Sequence, residues 1–212
     1  MKNNVLVFDF DGTIADTFHY ILNLSNQFSS EFNFKEIAPH EVEGMKDKTS
    51  QEVIKHLGVP LFKIPFIVAK AKKELEKDIS EIQPVEGLKE ILRQLKNFGY
   101  KMGILSSNSS ENVLKFLKNH DLDFFDFIGT TSKIWSKNTS LSKLMQDEGL
   151  SPETTVYVGD ETRDIEAAKK AGVKCVAVTW GYNSQKALKK HNPDYLVTKP
   201  DELFQLYGGV AA

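Results

Sequence analysis

A run of apolar residues that ends in two carboxylates constrains this chain more than any other feature. Val5 to Phe8 are β-branched, aliphatic and aromatic without a polar break, which predicts a strand buried on both faces. Asp9 and Asp11 follow at once, and Gly12 permits backbone angles or a close approach that a side chain would block. In an open parallel sheet the functional crevice lies at the carboxyl ends of the strands. We therefore expect the two carboxylates to face a metal ion, a phosphate or both.

Strand and helix patterns alternate along the rest of the 212-residue chain. Apolar runs predict strands at residues 101–105, 124–129, 154–158, 174–178 and 194–197. Apolar residues at helical spacing predict helices at residues 14–32, 50–57, 69–82, 88–95, 111–119, 141–145, 162–171 and 203–207. This alternation predicts an α/β fold with right-handed crossovers, a Rossmann-like parallel sheet with helices on both faces. No convincing buried strand falls between residues 32 and 83, so we interpret that stretch as a helical insertion.

Composition excludes several classes of function. The formal net charge of −2 gives no sign of a nucleic-acid partner, and no apolar run approaches the roughly 20 residues that span a membrane. Cys175 is the single cysteine, so no internal disulfide can form, and a reducing, cytoplasmic setting fits best. The Lys- and Glu-rich segment 69–77 is either a solvated helix face or a basic binding surface, and its glutamates favour the solvated face.

Polar side chains also follow two of the later strands, at the point where each strand ends. Ser106 and Asn108 follow the second strand, and Asp160 and Asp164 follow the fourth. A parallel sheet brings these side chains to the same edge as the first acidic pair. Asp160 and Asp164 lie four residues apart, and the second of them enters a helix whose positive end favours negative charge. Asp9 and Asp11 could instead belong to an ordinary acidic turn without a function. The polar residues at two further strand ends argue against that alternative.

The converging side chains suit phosphoryl transfer at a metal ion. Carboxylates that converge repel one another, which a bound cation relieves, and oxygen ligands without His or Cys favour Mg²⁺. One ionised carboxylate can attack phosphorus, while a second can protonate the leaving oxygen and then accept a proton from water. Lys137, ahead of the helix between the third and fourth strands, can bind the phosphoryl oxygens together with the polar end of the second strand.

These residues resemble the motifs of the haloacid-dehalogenase-like (HAD) superfamily of phosphohydrolases, over nearly the whole chain. The run Asp9-Phe10-Asp11-Gly12-Thr13 looks like its first motif, DxDGT. The resemblance implies that Asp9 is the nucleophile and that Asp11 is the general acid and base. It also implies that the metal site includes Asp9 and the main-chain carbonyl of Asp11. Thr13 is a candidate substrate contact.

Two other stretches resemble the second and fourth motifs of the family. The apolar strand that ends at Ser106 looks like the second motif, which implies that Ser106 holds phosphate, with Ser107 and Asn108 as further substrate contacts. The stretch 159–164 resembles the fourth motif, GDxxxD. The resemblance implies that Asp160 holds Mg²⁺ and that Asp164 completes the metal site or supports the lysine.

The lysine motif departs from the family pattern. Relatives in this branch usually carry Lys-Pro, whereas residues 136–141 here read Ser-Lys-Asn-Thr-Ser-Leu. Spacing favours Lys137 as the phosphate-binding lysine, with Lys133 and Lys143 as the alternatives.

The helical insertion resembles the C1 cap of the family. We expect a Rossmann-like core of residues 1–15 and 84–212 and a helical cap of residues 16–83, with hinges near 15–17 and 82–85. Such a cap would close over the sheet edge and exclude water. The cap stretch 44–49 resembles the family's substrate-facing segment, which implies that Lys46 or Lys48 contacts an anionic group of the substrate. An ordinary surface loop before a helix fits that stretch equally well.

The C-terminal half resembles one branch of the family. Residues 178–184 and 192–196 are similar to phosphoglycolate-phosphatase-like members, which implies a small phosphorylated acid as substrate. Trp180 in the first of these stretches could instead simply pack under the cap.

The sequence therefore predicts a Mg²⁺-dependent phosphatase that acts on a small phosphorylated metabolite, as a monomer or a homodimer. Three alternatives of the same fold remain: a pyrophosphatase, a phosphosugar mutase and a catalytically idle binding protein. Asp11 and Asp160 argue against a metal-free dehalogenase, and His19 lies two residues before the position of the histidine that the mutases use.

Overall fold

Six parallel strands form a single sheet in the computed structural model, which describes residues 5–131 and 137–208 without the side chains of residues 137 and 138. The strands are β1 Val5–Phe8, β2 Lys101–Ser106, β3 Phe127–Thr130, β4 Thr155–Gly159, β5 Lys174–Val178 and β6 Tyr195–Val197. Their order is β3-β2-β1-β4-β5-β6, and every neighbouring pair runs parallel. The α/β Rossmann-like prediction is confirmed.

The central strand β1 is buried on both faces, as its sequence predicts. Leu6 and Phe8 belong to one hydrophobic cluster, and Val5 and Val7 belong to the cluster on the opposite face. All four residues are 6 % exposed or less. This alternation follows from the two-residue period of a strand. Because both faces need cover, helices lie on both sides of the sheet.

Ten α-helices occupy the described residues. They are α1 Phe18–Phe32, α2 Val42–Lys46, α3 Ser50–Leu57, α4 Ile64–Asp78, α5 Leu88–Asn97, α6 Ser110–Asn119, α7 Lys137–Asp147, α8 Thr162–Ala171, α9 Gln185–Lys190 and α10 Pro200–Tyr207. Short 3₁₀ helices cover Pro39–Glu41 and Leu61–Lys63. Buried side chains of α5, α6 and α10 pack on one face of the sheet, and those of α7, α8 and α9 pack on the other. No helix among these residues is long and apolar enough to cross a membrane.

Several element boundaries differ from the predictions. The first helix begins at Phe18 rather than at residue 14, because residues 9–15 form the acidic loop and its turns. Strand β3 begins at Phe127 rather than at 124, and Phe124 and Phe125 pack beside the core instead. Helix α9 was missed, because a six-residue helix with two buried apolar residues shows too little periodicity to detect.

Helices α1 to α4 lie in the segment that joins β1 to α5. The chain leaves and re-enters the sheet layer along two paired stretches. The N–H of Asp16 donates to the carbonyl of Gln83 at 2.9 Å, and the N–H of Val85 donates to the carbonyl of Ile14 at 2.9 Å. The two crossings of this insertion are therefore hydrogen-bonded to each other.

Candidate active site

The three strand ends that carry polar residues are neighbours in the sheet. Strand β1 lies between β2 and β4, where the strand order changes direction, so Asp9, Ser106 and Asp160 meet at one edge. Crevices at such switch points are where open α/β sheets bind ligands. All three side chains are 3 % exposed or less.

Three buried carboxylates form a cluster that could hold a metal ion. One carboxylate oxygen each from Asp9, Asp160 and Asp164 lies within 4.8 Å of the others. The pKa of Asp160 is raised well above its ordinary range, first by burial and then by the charges of Asp9, Glu161 and Asp164. A hard cation fits this set of oxygen donors, because its charge offsets the repulsion that raises this pKa.

Hydrogen bonds orient both carboxylates that come from the fourth strand end. Asp160 Oδ1 accepts from the Thr13 hydroxyl at 2.6 Å, and Asp160 Oδ2 accepts from the N–H of Tyr182 at 2.7 Å. Asp164 Oδ2 accepts from the N–H of Glu161 at 2.9 Å in the capping box that begins α8. These contacts hold the two carboxylates in place.

Gly12 leaves room for the acidic cluster. Its φ is +78°, and a Cβ there would lie 2.4 Å from Asp160 Oδ2 and 2.5 Å from Cδ2 of Tyr182. Any larger residue would displace Asp160 or the tyrosine ring. The sequence-based prediction that this position needs glycine for backbone angles or close approach is confirmed on both counts.

Asp11 lies beside the end of the second strand. The Asn108 side-chain amide is 3.3 Å from both carboxylate oxygens of Asp11. Asn108 is itself fixed, because its N–H donates to the Ser106 hydroxyl at 2.9 Å and its Oδ1 accepts from the Asn112 amide at 3.0 Å. Asp11 is therefore positioned by an amide that has its own supports, which suits a carboxyl group that transfers protons.

A single cavity joins these residues to the inserted helices. Asp11, Ser107 and Asn108 line it from the sheet edge, and Lys46 and Lys72 line it from the insertion. The ammonium of Lys46 lies 4.2 Å from the centre of the Phe18 ring. Thr13 is fully buried with its hydroxyl directed to Asp160, so its predicted contact with substrate stays a prediction.

Lys72 was not singled out from the sequence. Burial lowers the pKa of its ammonium, and the nearby charge of Asp11 opposes that effect. Other charges of the same helix pair at the surface, as Lys77 does with Glu74 at 2.6 Å. The solvated-face prediction thus holds for part of the segment and fails at Lys72. A Lys/Glu-rich pattern does not reveal which lysine turns toward the sheet edge.

Arg163 is a second cation that the sequence reasoning did not single out. Its guanidinium pairs with the Glu161 carboxylate, with Nε at 2.8 Å from Oε1. Burial lowers the pKa of Arg163, but the charges of Glu161, Asp9 and Asp164 raise it further, so the group stays charged. It was overlooked because it occupies one of the variable positions of the GDxxxD pattern.

Direct hydrogen bonds tie the insertion to the sheet edge. The Ser50 hydroxyl donates to Glu161 Oε2 at 2.9 Å. The Asn183 amide donates to the carbonyls of Lys46 and Lys48 at 3.0 and 2.8 Å. Ser184 adds a hydrogen bond from its hydroxyl to Asp47. The inserted helices are therefore held against the acidic cluster in this structure.

The phosphate-binding lysine stays a prediction. Lys137 begins α7, but its side chain lies outside the described residues, as does all of Lys133. The side chain of Lys143 is 72 % exposed and pairs with Asp147 at 2.6 Å on the outer face of α7. That placement counts against Lys143 as the lysine of the site.

Comparison with known proteins identifies the family. The model of the haloacid dehalogenase-like hydrolases matches residues 6–178, which include all three polar strand ends. The chain belongs to the haloacid dehalogenase-like hydrolase family. A phosphoglycolate phosphatase from Synechococcus elongatus is 32 % identical over 201 residues, covering 94 % of this chain and 95 % of that protein. The pyrophosphatase PpaX from Halalkalibacterium halodurans is 29 % identical over 222 residues, covering 98 % of each chain.

Solved structures share the fold over almost the whole chain. A predicted phosphatase from Clostridium acetobutylicum superposes with a TM-score of 0.84 at 19 % identity, covering 99 % of this chain and 100 % of that one. The haloacid dehalogenase-like protein SP0104 from Streptococcus pneumoniae superposes with a TM-score of 0.80 at 23 % identity, covering 97 % and 99 %. At these identities the likeness supports the fold, inserted helices included, rather than a substrate.

Proposed function

We propose that this hydrolase is a Mg²⁺-dependent phosphatase that hydrolyses a small-molecule phosphate monoester through an aspartyl-phosphate on Asp9. The observation that carries the proposal is the buried cluster of Asp9, Asp160 and Asp164 beside a cavity that Asp11 lines. Family membership and the phosphatase and pyrophosphatase relatives support hydrolysis of phosphate esters.

Asp9, Asp160 and Asp164, with the main-chain carbonyl of Asp11, are the groups that we propose hold Mg²⁺. When bound, the ion supplies positive charge that stabilises the phosphoryl oxygens and keeps the nucleophilic carboxylate ionised. Thr13 and the N–H of Tyr182 keep Asp160 oriented toward the cluster.

Two carboxyl groups carry the proposed chemistry. The Asp9 carboxylate attacks phosphorus, the bond from phosphorus to the leaving oxygen breaks, and Asp11 gives that oxygen its proton. In the second step Asp11 takes a proton from water as the water oxygen attacks phosphorus, which releases inorganic phosphate and regenerates Asp9. The Asn108 amide, 3.3 Å from Asp11, holds this acid in place for both steps. Lys137, Ser106 and Ser107 are the proposed partners of the phosphoryl oxygens.

We also propose that the chain is divided into a core and a cap. We assign residues 1–15 and 84–212 to the core and residues 16–83 to the cap, with the paired crossings at Asp16–Gln83 and Ile14–Val85 as hinges. The hydrogen bonds from Ser50 and Asn183 would hold the cap closed during chemistry and exclude water.

Two substrates deserve the first tests. Phosphoglycolate is the first candidate, because the chain is 32 % identical to a phosphoglycolate phosphatase over almost its full length. Pyrophosphate is the second, because the PpaX relatives also cover almost the full chain. The cytoplasmic setting and the choice between monomer and homodimer stay predictions.

Phosphate release from a panel of small phosphate esters and pyrophosphate tests the proposal. We expect release with Mg²⁺, none with a chelator, and none from Asp9→Asn, whose fold should be unchanged by circular dichroism. Absence of release from the wild-type protein across the panel would instead favour the idle binding protein.

A further inference from the structure

The cavity beside the acidic cluster is larger and more apolar than a two-carbon acid requires. Its volume is about 360 Å³, which lies within the range of small-molecule binding sites. Asp11, Ser107 and Asn108 line it from the sheet edge, and the inserted segment adds Ser25, Ser50 and three lysines. The aliphatic residues of the wall all come from the inserted segment. Apolar members of that wall include Ile21, Leu22, Val53, Ile54, Val68 and Leu75.

The apolar wall is incompletely covered by protein. Leu22, Val53, Ile54 and Val68 are each half-buried although they lie on the inner side of the cap, where they line the cavity. Packed cores rarely leave such side chains without neighbours, because each uncovered methylene forgoes stabilisation. A ligand with apolar surface would provide the missing contacts.

Four cations line the cavity, namely Lys46, Lys48, Lys72 and Arg163, and Arg163 is paired with Glu161 beside Asp160. Lys72 lies near Asp11, and Lys46 stacks on Phe18 close to the same edge. A phosphate group and any acid adjacent to it would satisfy these cations. A second polar group on the ligand, farther from the phosphate, would meet mostly aliphatic side chains. Burial of a polar group without a hydrogen-bond partner is unfavourable, so such a ligand should bind less well.

We infer that the cavity binds the alcohol part of the phosphate ester and favours an alcohol with an aliphatic or aromatic group. This inference rests on the proposed phosphatase function and narrows its substrate class. Phosphoglycolate would occupy the polar end of the cavity and leave its apolar part to water. An ester with a longer apolar chain would fill both parts, and its chain would lie against α1, α3 and α4.

A homologous series of alkyl phosphates isolates the apolar contact, since the reacting group stays constant. We expect kcat/KM to rise about fourfold for each of the four methylenes from ethyl to hexyl phosphate, roughly 250-fold in all, as burial of methylenes predicts. Hexyl phosphate should also exceed phosphoglycolate. A flat or falling series with measurable phosphate release would overturn the inference and leave the phosphatase function standing.

A pair of alanine variants on α4 locates the contact. Ala71 lines the cavity, whereas Ala69 is exposed on the same helix. Ala71→Leu should fill the apolar space and lower the ratio of hexyl to ethyl phosphate activity at least tenfold. Ala69→Leu adds the same carbons to the surface and should leave the ratio unchanged. Equal ratios in the two variants would mean that the alkyl chain of the substrate binds elsewhere, which would overturn the inference.

Binding of phosphonates separates this inference from the proposed function. Hexylphosphonate and ethylphosphonate cannot be hydrolysed, so calorimetric titration needs no turnover. Tighter binding of hexylphosphonate, weakened by Ala71→Leu, supports the apolar site even if no ester releases phosphate. Equal affinities would overturn the inference, whatever the activity.

Discussion

At the scale of single residues, the site depends on hydrogen bonds that orient charged groups. Asp160 is fully buried among three other carboxylates, and the hydroxyl of Thr13 and the N–H of Tyr182 fix its direction. Groups that orient a metal ligand commonly matter almost as much as the ligand itself. Removal of the Thr13 hydroxyl therefore tests most directly how Asp160 is oriented in the acidic cluster.

Thr13→Val removes one hydrogen bond and keeps the shape of the side chain. We expect the Mg²⁺ concentration for half-maximal activity to rise about tenfold, because Asp160 loses the donor at 2.6 Å. Thr154→Val is the matched control, since its hydroxyl contacts Ser151 before β4 begins, at the far end of the sheet. An unchanged Mg²⁺ dependence in Thr13→Val would show that this contact does not position the metal site.

The assignment of the phosphate-binding lysine is also a single-residue question. Lys137→Ala should lower kcat on the order of 10²-fold or more, as loss of one charge-stabilising contact typically does. Lys143→Ala should have little effect, because that side chain is exposed and paired with Asp147. A larger loss in Lys143→Ala than in Lys137→Ala would refute the assignment.

At the scale of elements, side chains in the loops hydrogen-bond to neighbouring strands and helices and hold them together. Asp126 precedes β3 and accepts from the N–H of Met102 at 2.7 Å, while Lys96 of α5 pairs with the same carboxylate at 2.7 Å. Burial raises the pKa of Asp126, but Lys96 and the Met102 N–H lower it further, so the net shift is downward. This carboxylate ties the edge of the sheet to the neighbouring helix.

Asp126→Ala should lower the free energy of unfolding by about 1–2 kcal/mol at pH 7. A depressed native pKa stabilises the fold above the ordinary pKa of an aspartate, and that contribution disappears as the pH falls through the native value. The difference between variant and wild type should therefore shrink in urea titrations as the pH falls below the ordinary pKa of an aspartate. Asp123→Ala, an exposed change in the same loop, is the control. A pH-independent difference would mean that the charge is unimportant.

The loop before α9 holds the inserted segment through Asn183, and we propose that this contact keeps the cap closed. Asn183→Ala removes the donor to the carbonyls of Lys46 and Lys48 and the acceptor of the Thr162 N–H. We expect kcat/KM to fall about tenfold and proteolysis between residues 44 and 50 to become faster, because the cap opens more often. Asn97→Ala, exposed at the end of α5, should change neither. An unchanged rate of proteolysis in Asn183→Ala would show that the Asn183 hydrogen bonds do not hold the cap closed.

At the scale of the whole molecule, the sequence predicted the architecture well, because strand ends carry the recognisable residues. Strands β1 and β5 have their predicted bounds, and Asp9, Asp160 and Asp164 lie together as parallel-sheet geometry requires. What the sequence did not reveal depends on tertiary orientation. Lys72 faces the cavity only because of how α4 packs, and no spacing within the segment distinguishes it from its neighbours.

The proposed mechanism passes through a phosphorylated Asp9. The most direct measurement is mass spectrometry of the enzyme quenched in acid during turnover of a phosphate ester with Mg²⁺. We predict one phosphate on the peptide that contains Asp9, absent with chelator and absent in Asp9→Asn. Phosphate release at the wild-type rate from Asp9→Asn, or turnover with phosphate attached to another residue, would contradict the account.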